Sequence, residues 1–161
     1  MRPVSRYVNL GDVGFWLRNS YNGGQDIFWQ SRDNALLIKG GANYSYDQIN
    51  DELIKFVSSK LGLEAVTDFG LAVVGLRMRS EHEDDCWATV ELKTDAATAI
   101  QSEISNALLV DARSKASGVS KGSWPDFVRF DRIPVNFKGA IRIPDLDAAC
   151  TEDAKLRGIG K

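Results

Sequence analysis

The chain has 161 residues, 43% of them apolar, enough to bury one core with a small appendage. Its 20 basic and 22 acidic side chains leave a net charge of −2, which excludes a long-range field for nucleic acid or an anionic membrane. No run approaches the ~20 apolar residues of a membrane span, and the N-terminus lacks a signal-peptide core. Only Cys86 and Cys150 are present, without CxxC spacing, so a disulfide framework or zinc site is not expected and the setting reads as reducing and cytoplasmic.

Strand and turn signals come first. Val13 to Leu17 is apolar and aromatic, Asn22-Gly23-Gly24 is a turn, and Asp26 to Gln30 is rich in β-formers, so a hairpin is expected. A short apolar strand follows from Ala35 to Lys39, ending at Gly40-Gly41. Ser45, with Gln48 three residues on, predicts a capping box. Ile49, Leu53, Phe56 and Val57 then recur at helical spacing, and Gly62 stops the helix. Ala65 to Met78 and Cys86 to Lys93 read as an antiparallel strand pair. The acidic run Glu81 to Asp85 between them, with the lone His82, reads as a solvated loop rather than a metal site. Thr94 should cap a second helix over about 95–115, with Ile100, Ile104 and Leu108 as its buried stripe. After a Gly/Ser/Lys-rich loop over 118–124, Phe127 to Phe130 forms a strand. Pro144 opens a last helix through Ala154, and the tail from Arg157 onward is expected to fray. The fold expected is α+β: a small open sheet, with a three-stranded core plus an N-terminal β-hairpin, packed with two to three helices.

The segment Ile133-Pro134-Val135-Asn136-Phe137-Lys138-Gly139-Ala140-Ile141-Arg142 resembles the last signature of the AMP-forming acyl-CoA synthetases and other adenylate-forming enzymes. That signature reads roughly Leu-Pro, four residues, then Gly-Lys-Ile. Its lysine holds the carboxylate and α-phosphate during adenylation. Gly139 and Ile141 keep their places, but Ala140 stands where the lysine would be.

Three further stretches resemble the same superfamily, in family order. Asn9 to Trp16 is similar to its Thr-Gly-Asp-Leu-Gly-Tyr-Trp element, which implies that Asp12 accepts hydrogen bonds from the ribose hydroxyls of ATP or AMP. By itself, Gly-Asp in a turn is a structural motif. Phe28 to Asn34 resembles the element whose arginine also contacts the ribose, implying that role for Arg32 and the hinge position for Asn34. Ser31 and Asn34 depart from the usual glycine and charged residue. Gly40-Gly41-Ala42-Asn43, followed by Ile49 and Asn50, resembles the glycine-rich stretch lining the pantetheine tunnel of CoA, where backbone must approach a ligand closely. Without the resemblance, Gly40-Gly41 is a turn feeding the helix.

The resemblance covers roughly residues 7–156 and implies two parts. Residues 1–34 correspond to the end of the large AMP-binding domain, and 35–161 to the C-terminal lid. It implies ATP (with magnesium), AMP and CoA as cofactors, the large domain as partner in the same or a separate chain, and a carboxylic acid substrate. It also implies a place in fatty acid metabolism, although the acyl pocket itself lies in the large domain. The family's Pro-Lys-Gly phosphate loop and Tyr-Gly-x-Thr-Glu element do not occur here. The isolated chain is therefore expected to be inactive and to bind no cofactor, being a segment of a longer enzyme or a stand-alone lid relative. The start at Met1 reads as a truncation, because strand Tyr7 to Leu10 begins almost at once.

Three explanations of Ala140 remain open on the sequence. Lys138, in the same turn, could substitute for the missing cation; adenylation could have been lost; or the alanine could be a deliberate replacement. The rival reading is a non-catalytic scaffold module, with Trp124 and Phe127 as an exposed docking surface.

Overall fold

The computed structural model describes the backbone of residues 12–32 and 35–160, with side chains from 16 to 27 and from 35 onward. Strand β1 (Asp12–Arg18) pairs antiparallel with β2 (Gln25–Arg32), as expected. The register sets Arg18 against Gln25 at the turn and Asp12 against Arg32 at the open end, with an irregularity between Val13 and Gly14. Asn34, the expected hinge, lies outside the described residues.

Strand β3 (Leu36–Lys39) returns through Gly40-Gly41 into a strand not foreseen, β4 (Ala42–Ser45). Gly40 and Gly41 have φ of 61° and 75°. Two consecutive left-handed residues match the two-residue hairpin turn whose twist suits its strands, and glycine adopts them without a Cβ penalty. Helix α1 (Tyr46–Leu61) follows directly and ends at a left-handed Gly62. The expected capping box does not form. The Ser45 side chain makes no cap bond, and Gln48 donates instead to Glu52 one turn on.

The core sheet has the order β5–β6–β7, with β5 (Phe69–Leu76), β6 (Asp85–Leu92) and β7 (Phe127–Phe130). The β5–β6 pair is antiparallel and β6–β7 parallel. A parallel pair needs a crossover, here supplied by α2 (Asp95–Ala99) and α3 (Gln101–Leu109) with short 3-10 turns after them. Strand β6 is buried continuously from Asp85 to Val90, the pattern of a central strand covered on both faces. On one side Thr89 meets Cys150 of α4 (Ile143–Leu156), and the Arg157 guanidinium lies over Trp87. Helix α1 buries Ile49, Leu53 and Val57 in the same core.

Three local expectations are corrected. The single helix over 95–115 breaks at Ile100 (φ −112°, ψ 28°), although Thr94 does cap its start by accepting from the Ala97 N–H. The acidic run is not wholly solvated: the Asp84 carboxylate accepts from the Ile38 N–H, and Asp85, buried, accepts from Arg79. Only its tip, with His82, is exposed. The tail does not fray at once, since Ile159 donates to the Ala154 carbonyl and packs against the core.

Candidate functional site

The signature segment folds into a tight loop closed by a bridge between Val135 and Ile141. Asn136 organises it. Its Oδ1 accepts from the Lys138 N–H at 2.9 Å and the Ala140 N–H at 3.0 Å, while its own N–H donates to the Ala140 carbonyl at 2.9 Å. Gly139 sits at φ 81°, a left-handed conformation at the point where the loop reverses. The position of Ala140 is thus fixed by local sequence.

This loop forms one wall of a cleft of about 760 Å³. Asn136, Gly139, Ala140 and Arg142 line that side; Ala35 and, from the first turns of α1, Tyr46, Asp47 and Asn50 line the other. Ala140 lines the cleft without a charge. Lys138 does not line it: it is exposed at the loop tip, with its ammonium 5.6 Å from the ring of Phe137, itself 93% exposed. The one cation among the described lining residues is Arg142, whose guanidinium pairs with Asp145 at 2.9 Å.

Tyr46 and Asn50 are one helical turn apart and reach the free edge of β5 together. The Tyr46 hydroxyl accepts from the Gly75 N–H and Asn50 Oδ1 from the Val73 N–H, both at 2.9 Å. These bonds satisfy edge donors that would otherwise be left open. Burial pushes the Tyr46 hydroxyl up to about 12, against the opposing pull of the Gly75 N–H, so it stays protonated.

The remaining expected site residues fall in two places. Asp12 and Arg32 are backbone partners in the β1–β2 register. Gly40 and Gly41 form the exposed β3–β4 turn, where the Gly40 N–H donates to Glu83. Neither cysteine is set up as a nucleophile. Burial pushes the Cys86 thiol up to about 12 and also raises that of Cys150. Among the described residues, no group of three His, Cys, Asp or Glu side chains could hold a metal ion.

Trp124 and Phe127 are not an exposed docking surface. The Trp124 indole N–H donates to the Val119 carbonyl, and Phe127 stacks on Trp87 with centroids 4.5 Å apart beneath the Arg79 guanidinium. They flank a charge hub on Asp126, which gathers Lys39, Arg79 and Arg113. Sequence reasoning gave no role to Tyr46, Asn50 or Arg142. Asn50 and Arg142 stand inside the quoted motifs, but their shared cleft depends on residues about 90 apart in the chain folding together.

No family model matches the sequence, and no curated protein matches it. Solved structures do. An AMP-forming acyl-CoA synthetase/AMP-acid ligase II-like protein from Dyadobacter fermentans is 14% identical with a TM-score of 0.55, over 86% of this chain and 34% of that one. ATP-bound MatB from Rhodopseudomonas palustris is 22% identical, also at 0.55, over 87% and 24%. The anthranilate CoA ligase AuaEII, in complex with anthranoyl-AMP, is 18% identical at 0.52, over 90% and 24%. The chain spans only about a quarter to a third of these proteins' length. It therefore has the fold of one portion of the AMP-forming acyl-CoA synthetases and related adenylate-forming enzymes.

Proposed function

We propose that residues 35–161 are the C-terminal lid of an AMP-forming acyl-CoA synthetase or ligase, and residues 1–34 the end of its large nucleotide-binding domain. The observation that carries this reading is the fold match: nearly all of this chain aligns on a minor part of each adenylate-forming protein. The four motif resemblances, in family order, agree with it.

In this reading the large domain, in the same or a separate chain, binds ATP with magnesium and a carboxylic acid. The acid's carboxylate attacks the α-phosphate and pyrophosphate leaves. The CoA thiol then attacks the acyl carbon of the adenylate and AMP leaves. This chain contributes Asp12 and Arg32 toward the ribose. It also closes over the adenylate to exclude water, a recognised use of mobile lids. Rotation about Asn34 then presents the Gly40-Gly41 turn to pantetheine. With Ala140 at the lysine position, the charge growing on the reacting oxygens lacks its usual partner, a loss typically of ~10²–10³-fold in rate. Lys138 could supply that charge only by leaving the loop tip.

A second reading has one observation in its favour. The uncharged Ala140 on the cleft wall suits a non-catalytic module that keeps the lid fold within a larger assembly. Calorimetric titration of the isolated chain with AMP and with CoA tests the first reading's dependence on the large domain. It predicts no binding tighter than about 100 µM, the level a few exposed contacts sustain. Tight binding of either to this chain alone overturns it.

A further inference from the structure

Helix α4 and the residues after it cross one face of the central sheet, and little apolar surface holds them there. The stripe that the 14-residue α4 buries is Leu146, Cys150 and Ala154, one large side chain and two small ones. Ile143 is only partly buried, and beyond the helix Ile159 packs against the core. The 16-residue α1 buries Tyr46, Ile49, Leu53 and Val57. The gain from burial scales with the apolar area removed from water, so α4 is held more weakly than α1.

The polar contacts beneath α4 are incomplete as well. Arg129 stands beside Thr89 in the β6–β7 register, and Thr89 meets Cys150, so the Arg129 side chain shares the face that α4 covers. Arg129 is 8% exposed; its Nη2 pairs with Asp131, but its buried Nη1 has no partner. Trp87, two residues before Thr89 and on the same face, lies under the Arg157 guanidinium with its indole N–H also unpartnered. On α4 itself, Asp153 Oδ2 is 2.8 Å from Arg157 Nη2 yet makes no aligned hydrogen bond. Of the four such side-chain atoms among the described residues, three therefore lie at this one interface. A buried donor without an acceptor carries a penalty that water relieves once the interface opens. Arg157 is the counterweight, since it also donates to the Val128 carbonyl.

We propose that α4 and the residues after it form a strap that lifts from the sheet as a unit while the rest of the fold stays closed. Lifting bares the β6–β7 face and gives water to Trp87 and Arg129. The proposal rests on this interface alone and stands whether or not the chain serves adenylation.

Two thiols, both 0% exposed, report on the motion. Cys150 sits on the covered side of α4, so lifting the strap bares it. Cys86 lies in the central strand β6 next to Trp87 and points to the opposite face, so it stays covered until the sheet itself comes apart.

Iodoacetamide labelling at neutral pH, read for each cysteine by peptide mass spectrometry across sub-denaturing urea, tests the strap. Without urea, Cys150 should label at least ~10-fold faster than Cys86, the factor that one unpartnered donor sustains. Its rate should also rise less steeply with urea, because lifting exposes less surface than unfolding. Arg129→Met removes the unpartnered donor and keeps a long side chain, so it should slow Cys150 labelling roughly 10-fold. The two rates in the parent chain decide the matter by themselves if Arg129→Met does not fold. Equal rates with equal urea dependence, or Cys150 labelling that is unchanged or faster in Arg129→Met, would overturn the proposal. Because no nucleotide or acyl chemistry enters the test, its failure leaves the lid reading untouched, and failure of the lid reading leaves the strap standing.

Discussion

Replacing Asp126 by asparagine should expose how much of this fold depends on one carboxylate. Asp126 lies just before β7, with its side chain only 12% exposed. One oxygen accepts from Lys39 Nζ at 2.6 Å and from the Cys86 N–H at 2.9 Å. The other lies 3.2 Å from Arg79 and 3.6 Å from Arg113. It thus ties the β3–β4 hairpin, the β5–β6 loop and the chain after α3 to the central sheet. Asparagine keeps the shape but leaves three cations facing a neutral group. Breaking a buried pair from one side costs about 3–5 kcal/mol. Lys39 is 21% exposed, but Arg79 and Arg113 are 55% and 42% exposed and can turn to water. The expected loss is therefore about 2–3 kcal/mol, or about 5–10 °C in Tm for a chain of this size.

Urea unfolding of Asp126→Asn beside the parent at neutral pH measures that loss, and its pH dependence checks the cause. Burial raises the Asp126 carboxyl, but Lys39, the Cys86 N–H and Arg79 together outweigh it and hold the group below the usual carboxylate range. A depressed folded pKa adds stability that is present above the unfolded value and lost as pH falls through the folded one. The deficit should be full at pH 7 and shrink below about pH 4. A loss under about 0.5 kcal/mol, or one that persists unchanged in acid, would refute the reasoning.

Further outcomes follow from single contacts. At Gly122 a Cβ would sit 2.1 Å from the Tyr44 ring, so Gly122→Ala should cost about 1–3 kcal/mol in urea unfolding; a neutral result would mean the ring is not seated there. Val66 is 77% exposed at φ 72°, a conformation a β-branched residue adopts only at a cost. Val66→Gly should raise stability by about 0.5–1 kcal/mol after the entropy glycine adds to the unfolded chain, and a destabilised variant would argue against that backbone. With Cys86 pushed up to about 12 inside the core, a thiol reagent at pH 8 should label it only at the unfolding rate; rapid labelling of the folded chain would contradict its burial.

Where the chain's own residues decide a feature, the sequence displayed it. Thr94 caps because its hydroxyl can reach the Ala97 N–H, Gly62 ends α1, and the β-formers of 127–130 make a strand. Strand β4 was illegible because Ala42-Asn43-Tyr44-Ser45 is only four residues long, with Tyr44 its one strong β-former; its pairing comes from the twist of the Gly40-Gly41 turn. The break at Ile100 carries no Pro or Gly. No residue there marks a stop, so the local sequence does not show it, and Ala97 and Ile104 are buried on either side. The acidic run looked solvated because Asp84 and Asp85 find their partners, Ile38 and Arg79, only after the chain folds. The motif loop could be read from Asn136, Gly139 and Ala140. The cleft could not, because its other wall comes from Tyr46 and Asn50 across the domain.

In the proposed reading, Ala140 occupies the place of a catalytic cation. In the complete protein, with the large domain present, Ala140→Lys should raise carboxylate-dependent pyrophosphate release at least ~10-fold by restoring charge at the reacting oxygens. Unchanged release would contradict the assignment of that position, and with it the reading of this chain as an adenylating enzyme's lid.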